Sequence, residues 1–284
     1  MIPAAFEYAR AESLADALAA VAADDTKVIC GGQTLIPLLR FRLTQPRRVV
    51  GIGHLAELAG IRVADGVVRI GAATTYRAML DSRALRDAVP LLVEVTSNIG
   101  DIQVRNLGTI GGALVHADPS ADMPGAMLVL DASFHVQSTT GKRTIKAREF
   151  FRGAFDTALA PGELLVAIEI PMPADRTGTA YEVFEQAASG YPLVGAAAAV
   201  TRSGARVTAA SLAFTGLTDA PFLVAAASEL VGTDGDADVI ARIATAALQG
   251  VEANADLHAG AEYRLHLASI VARRALTSAV ARAT

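Results

Sequence analysis

The sequence predicts an α+β chain of two domains, and three observations carry that expectation. Its 284 residues are 52% hydrophobic, enough for more than one core at roughly 100–200 residues per domain. A proline-rich corner, Pro171-Met172-Pro173, continuing to Gly178, separates two stretches of different make-up. Beyond that corner the strand patterns come first and the helical patterns follow, which is the order of an α+β unit rather than of βαβ crossovers.

The elements are read in order. Residues 11–22 form an amphipathic helix, with Leu14, Leu18 and Val21 on one face and Ser13 near its start. Residues 27–30 are a short strand running into Gly31-Gly32, and a helical turn over 36–39 tolerates Pro37 near its start. Residues 48–52 are a strand, and 61–70 are a strand pair around Asp65-Gly66. Thr74 is expected to cap a helix at 76–80, and Pro90 to end a helix over 83–93. A loop holding Gly111-Gly112 follows. Asp122 with Pro124 then marks the start of a helix reaching Leu130. Strands follow at 132–138 and 143–146, joined at Gly141-Lys142, and at 164–170. In the second half, strands at 180–186, 194–202 and 206–214 precede helices at 220–231, 236–249 and 261–281.

Composition removes several function classes. Net charge is -4 and the isoelectric point about 5.8, a poor match to nucleic acid. There is no Trp, so stacking platforms for bases are scarce. Mean hydropathy of +0.38 reflects abundant alanine; no stretch approaches the ~18 apolar residues of a membrane span. The first residues lack a basic region followed by an apolar one, so a cytoplasmic location is expected. The lone cysteine, Cys30, can form no internal disulfide and cannot supply the thiolates of an iron–sulfur cluster. Any redox metal must therefore sit on another chain.

The strongest motif candidates are the two glycine pairs. Val28-Ile29-Cys30-Gly31-Gly32-Gln33-Thr34-Leu35 and Arg105-Asn106-Leu107-Gly108-Thr109-Ile110-Gly111-Gly112 each offer successive N–H groups without Cβ atoms in the way. Ordinary turns use such pairs too; Thr34 and Thr109, as neighbouring hydroxyl donors, favour one anionic cofactor held from two sides. Gly51-Ile52-Gly53-His54-Leu55-Ala56 imitates a dinucleotide fingerprint. It is rejected because the helical stretch after it stops by Gly60, too early for a βαβ unit. No Walker loop and no Gly-x-Ser-x-Gly elbow occurs. Asp118 and Asp122 read as a loop acid and a helix-start acid, and His116-Ala117-Asp118 as a hydrogen-bonding loop. Tyr191, in Ser189-Gly190-Tyr191-Pro192, is either a half-buried anchor or the cover of a planar ring.

Taken together, Gly31-Gly32-Gln33-Thr34-Leu35-Ile36-Pro37-Leu38, Gln103 through Gly112 and Ala117-Asp118-Pro119-Ser120-Ala121-Asp122-Met123-Pro124 resemble the FAD-binding medium subunit of molybdenum hydroxylases. The likeness extends through Phe150-Phe151-Arg152-Gly153, Gly162-Glu163-Leu164-Leu165 and Ala261-Glu262-Tyr263-Arg264, in order along essentially the whole chain. It implies an α+β fold with a PCMH-type FAD domain at 1–176, in subdomains of about 1–55 and 56–176. A C-terminal domain at 177–284, with a three-stranded antiparallel sheet and a helical bundle, completes it.

The resemblance also implies roles. Gly31, Gly32, Gln33, Thr34 and Leu35, with Thr109, Gly111 and Gly112, would hold the FAD pyrophosphate by backbone and hydroxyl donors. Asp122 would face the adenosine or ribityl side, Leu165 would pack near adenine or flavin, and Tyr191 would lie against the isoalloxazine. The chain itself would hold no metal and no acid–base residue of substrate chemistry. Partners would be a large subunit with molybdopterin cytosine dinucleotide and a small subunit with two [2Fe–2S] clusters, in an (LMS)2 heterohexamer. Electrons would reach FAD from those clusters and leave to an external acceptor. Gln33 stands where carbon monoxide dehydrogenases carry His, which points to an aromatic or N-heterocyclic substrate; carbon monoxide oxidation and a stand-alone flavin oxidoreductase are the alternatives. No His lies in either glycine loop, and Cys30 precedes the first pair on a strand rather than standing in position for a flavin bond, so the flavin is expected to be noncovalent.

Overall fold

The computed structural model describes residues 2–284. The chain opens with β1 (Glu7–Arg10), α1 (Leu14–Val21), β2 (Thr26–Ile29), α2 (Leu35–Arg40) and β3 (Arg48–Gly51). These strands form a parallel sheet in the order β1-β3-β2. Ser13 caps α1 by accepting from the Asp16 N–H, and Leu18 and Ala17 turn inward onto Val50 and Ile52. β1 has no apolar alternation, Glu7-Tyr8-Ala9-Arg10 being mostly exposed, which is why no strand is read there from sequence.

A five-stranded antiparallel sheet follows, ordered β4-β5-β10-β6-β7, from β4 (Ile61–Ala64), β5 (Val67–Gly71), β6 (Ser133–Gln137), β7 (Lys142–Lys146) and β10 (Leu164–Pro171). The Asp65-Gly66 hairpin is where the sequence places it. Between β5 and β6 run α3 (Tyr76–Asp81), α4 (Arg83–Ala88), α5 (Pro90–Asn98), α6 (Ile102–Leu107), α7 (Ile110–His116) and α8 (Met123–Val129). Between β7 and β10 lie α9 (Ala147–Phe150), β8 (Phe151–Gly153) and β9 (Asp156–Thr157).

Three sequence expectations change here. The cap of α3 is Thr75, which accepts from the Ala78 N–H, while the Thr74 hydroxyl bonds to both Gly60 backbone groups. Pro90 opens α5 at its first turn instead of ending a helix, because a proline there forfeits no helical hydrogen bond. Residues 102–107 are a helix, although α6 buries no residue and so shows no periodicity to read.

The last unit is a sheet of β11 (Thr177–Glu185), β12 (Pro192–Ser203), β13 (Arg206–Thr215) and β14 (Phe222–Leu223), in that order. The three long antiparallel strands are those expected. The two-residue β14 and a 3-10 segment at Ala225–Leu230 occupy the span read as a helix at 220–231. α10 (Ala237–Ala246), capped by Asp236, and α11 (Ala261–Arg282) cover one face. The alanine run of β12, buried on both faces, lets α11 and α8 approach the sheet from opposite sides.

α8 is buried along its whole length, as a helix apolar on all sides must be. It lies between the five-stranded sheet's helices and the face of β12 and β13, so its N-terminus marks the seam between the two halves. The seam also carries Arg282, whose guanidinium bonds the Glu94 carboxylate at 2.8 and 3.2 Å and the Thr179 carbonyl at 2.7 Å. Arg282 is half exposed, so Arg282→Ala should lower the unfolding free energy by only about 1 kcal/mol. Urea unfolding of the variant checks this; a loss several times larger would mean that the bridge locks the seam.

Candidate functional site

A cleft of about 1050 Å3 runs where the parallel sheet, the α7–α8 region and the β11–β12 loop converge. It stands at the upper end of the ~300–1,000 Å3 usual for small-molecule sites, as an extended dinucleotide needs. Every residue assigned to the site from sequence lines it: Gly31, Gly32, Gln33, Thr34, Leu35, Thr109, Gly111, Gly112, Asp122, Leu165 and Tyr191.

The two glycine pairs work differently. The first lies in the turn from β2 into α2, with Gly32 at φ +74, a conformation that favours glycine. Among the described residues, no protein acceptor takes the N–H of Gly31, Gly32, Gln33 or Thr34. Thr34 occupies the N-cap position of α2, and its side chain makes no capping bond. This loop therefore presents a run of free donors and a free hydroxyl.

The second pair lies inside the first turn of α7 rather than in a loop. Thr109 caps that helix through the Gly112 N–H at 3.3 Å, and the Gly111 N–H donates to the Ala72 carbonyl at 2.9 Å. Unlike those of the first loop, the N–H groups of this pair have acceptors within the protein. Gly111 is needed for proximity, since a Cβ there would stand 2.6 Å from the Ala72 Cβ and carbonyl oxygen.

The jaws also touch each other. A Cβ on Gly31 would come within 2.1 Å of the Leu107 carbonyl oxygen, so the first loop rests directly on the end of α6. Lys27 is the one Lys or Arg lining the cleft among the described residues. An anion here meets backbone dipoles more than side-chain cations.

Another part of the lining is acidic and aromatic. Asp122 precedes α8 and is 6% exposed; its Oδ1 accepts from the Tyr181 hydroxyl at 2.7 Å. Burial pushes its pKa up to about 7, against the Tyr181 hydrogen bond that lowers it, with the Glu185 charge adding to the rise. Although Asp122 holds the N-cap position of α8, its side chain makes no capping bond. Tyr191 projects from the β11–β12 loop, 55% exposed; burial of its phenol, then the Asp118 and Asp122 charges, raise its pKa. Leu165 reaches the cleft from β10 at a bulge in its pairing with β6.

Sequence reading left other lining residues without a role there. Tyr76 is 4% exposed, and its phenol is driven far up by burial and by the charges of Asp122 and Tyr191. His116 packs its ring 5.0 Å from Phe155 and lies 4.0 Å from Asp118; burial lowers its pKa against the pull of that carboxylate. Cys30 also faces the cleft, its thiol raised by burial and partly restored by Thr109. Only contact across elements separated in sequence identifies these groups. No cluster of His, Cys, Asp and Glu among the described residues could hold a metal, and no described helix is long and apolar enough to cross a membrane.

The site fits FAD: free donors for a pyrophosphate at one loop, an apolar wall at Leu165, and a tyrosine, all lining one cleft. Residues 4–173 match the family model described as the FAD binding domain in molybdopterin dehydrogenase, and residues 179–279 match the CO dehydrogenase flavoprotein C-terminal domain. The chain is 38% identical to the carbon monoxide dehydrogenase medium chain of Afipia carboxidovorans, over 100% of this chain and 99% of that one. It is 35% identical to the glyceraldehyde dehydrogenase medium chain of Sulfolobus acidocaldarius, over 97% and 98%. Its structure superposes on quinoline 2-oxidoreductase from Pseudomonas putida 86 with a TM-score of 0.95 and 34% identity, covering 100% and 99% of the two chains.

Proposed function

Because the chain belongs to the FAD-binding medium subunits of molybdenum hydroxylases, we propose that its cleft holds FAD with the pyrophosphate on the Gly31–Thr34 turn and the isoalloxazine at Tyr191. The free N–H groups of that turn, opening into the cleft, carry the assignment. When bound, FAD links the one-electron chemistry of iron–sulfur clusters to an external acceptor; the chain binds, orients and tunes it.

Gln33 and Leu35 flank the phosphate turn, and the Thr109 hydroxyl faces it from the other jaw. Gly111 lets α7 come close to Ala72, and Gly112 donates its N–H to the Thr109 hydroxyl that caps α7. Asp122 addresses the adenosine or ribityl side, Leu165 supplies apolar contact, and Tyr191 covers the ring system. The division at residue 176, with subdomains of about 1–55 and 56–176, is proposed on the sheet boundaries.

The relatives are medium chains of dehydrogenases, and the chain works beside a large and a small subunit. We assign the complex an (LMS)2 stoichiometry with molybdopterin cytosine dinucleotide and two [2Fe–2S] clusters on the partners, located in the cytoplasm. Carbon monoxide, glyceraldehyde and quinoline appear in the names of relatives that share this whole fold, so the fold alone does not select the substrate. Gln33 supports an aromatic or N-heterocyclic substrate.

Expression of the full chain tests the flavin site. The purified protein should show flavin absorption bands, directly or after incubation with FAD. Acid or urea denaturation should release all of the flavin. Absence of the bands under both conditions would refute the site. Flavin that stayed on the denatured chain would instead indicate a covalent bond, for which Cys30 and His116 are the candidates facing the cleft.

A further inference from the structure

We infer that Arg264 is a positioning residue for the cleft: from the C-terminal helix it fixes the loop carrying Tyr191 against the loop carrying Asp118 and Asp122. The inference rests on the FAD placement above for its consequence, though not for its geometry.

Arg264 stands in the first turn of α11 yet is 2% exposed. A buried guanidinium persists only where its hydrogen bonds offset lost hydration. Its Nη1 donates to the Leu193 carbonyl and, at 2.8 Å, to the Gly216 carbonyl; its Nη2 donates to Asp256 Oδ2 at 2.7 Å. Its Nε has no partner among the described residues. Asp256 is itself held, since its Oδ1 accepts the N–H groups of His258 and Ala259. The guanidinium is thus anchored on one side and spends its remaining fork on two backbone carbonyls from other elements.

Both carbonyls lead to the cleft. Leu193 lies two residues past Tyr191. The Gly216 N–H donates to the Pro119 carbonyl at 2.8 Å, and the neighbouring Thr215 hydroxyl donates to the Ala121 carbonyl. Gly216 has φ +76, and a Cβ there would stand 2.8 Å from the Leu193 oxygen, so the two strand ends are pressed together beneath the arginine. The turn ahead of Tyr191 is tied to itself: Gln186 N–H to Tyr191 O and Gly190 N–H to Gln186 O, each at 2.8 Å, with the Gln186 side chain closing it. The loop closes the β11–β12 hairpin at Glu185 and Pro192, and Leu193, next in β12, is the point at which that hairpin is joined through Arg264 to Gly216 and so to Pro119. A lysine, with one compact charge in place of a planar fork, cannot bridge both carbonyls and Asp256 in the same geometry.

The test uses the full chain carrying Arg264→Met, Arg264→Lys and, on the exposed side, Asp256→Asn. With FAD placed as proposed above, Tyr191 against the ring is expected to quench flavin fluorescence. Arg264→Met should brighten it several-fold, as Tyr191→Ala should, and the two changes together should add nothing further. In the flavin-free chain, nitration of Tyr191 by tetranitromethane is followed against pH by peptide mass. Its midpoint should move down toward the ordinary tyrosine value, because the phenol moves away from Asp118 and Asp122. Arg264→Lys should follow the methionine variant, and Asp256→Asn should move part of the way. If Arg264→Met does not fold, the other two variants decide the question. Wild-type fluorescence and a wild-type nitration midpoint in a folded variant overturn the inference. A wild-type chain that takes up no flavin counts against the FAD site instead, and the nitration profile still decides the role of Arg264.

Discussion

Gly31→Val should abolish flavin binding and destabilise the N-terminal half. A Cβ at this position would lie 2.1 Å from the Leu107 carbonyl oxygen, 2.9 Å from its carbon and 3.0 Å from the Gly108 Cα. All three neighbours are backbone, so no rotamer change relieves the overlap. The turn must lift away from the end of α6, and the free N–H groups of Gly31 to Thr34 move with it. Overpacking of this kind costs about 1–3 kcal/mol in a well-packed region even before ligand binding is considered. Gly31→Ala carries the same first atom and should lose most of the flavin too. Gly141→Ala is the control, because a Cβ there meets nothing within 4 Å. The ratio of flavin to protein absorbance in the purified chains is the readout. Full flavin content in the valine variant would falsify the placement of the pyrophosphate on this turn.

The same distances show why some of the site is legible in sequence and some is not. Glycine pairs beside threonines mark the two jaws, and both jaws are present. Sequence does not distinguish a glycine that frees a donor from one that permits contact. Gly32 does the first and Gly111 the second, its N–H donated to Ala72, while Gly31 does both, with a free N–H and a backbone approach to Leu107. The fingerprint look-alike at Gly51 and Gly53 is a further case of contact. Cβ atoms there would meet the Tyr8 hydroxyl at 2.5 Å and the Cys30 carbonyl at 2.6 Å. Long elements with a buried face, such as α1, β12 and α11, were readable, whereas short ones such as α7 and α9 were not, although they too bury residues. Elements without a buried face, β1 and α6, were not readable either, because an exposed segment has no periodicity to reveal it. Tyr76, His116 and Arg264 depend on contacts far apart along the chain.

Asp122→Asn should stabilise the flavin-free chain above pH 7 while weakening its hold on FAD. Burial raises the folded-state pKa of Asp122 to about 7 from an ordinary value of 3.8. Between those two pH values the folded chain keeps a proton that the unfolded chain has lost. Stability contributed by this group is therefore complete below about pH 4 and falls as pH rises to about 7, by roughly 4 kcal/mol at most. Asparagine does not ionise, and its side-chain oxygen still accepts from the Tyr181 hydroxyl. Urea unfolding between pH 5 and 9 should thus show the variant gaining on the native chain as pH rises, with the difference levelling off above pH 7. Tyr181→Phe should act in the opposite sense. Without that donor, which is 2.7 Å away, the carboxylate is harder still to ionise, and the fall extends to higher pH. Parallel stability curves for the native and asparagine chains would show that Asp122 does not carry a raised pKa. A buried carboxylate with a costly charge at the seam of the two halves is a poor choice for stability alone. Its retention is explained if the cleft needs an acceptor toward the adenosine or ribityl hydroxyls, and then the gain in stability should come with a loss of flavin affinity.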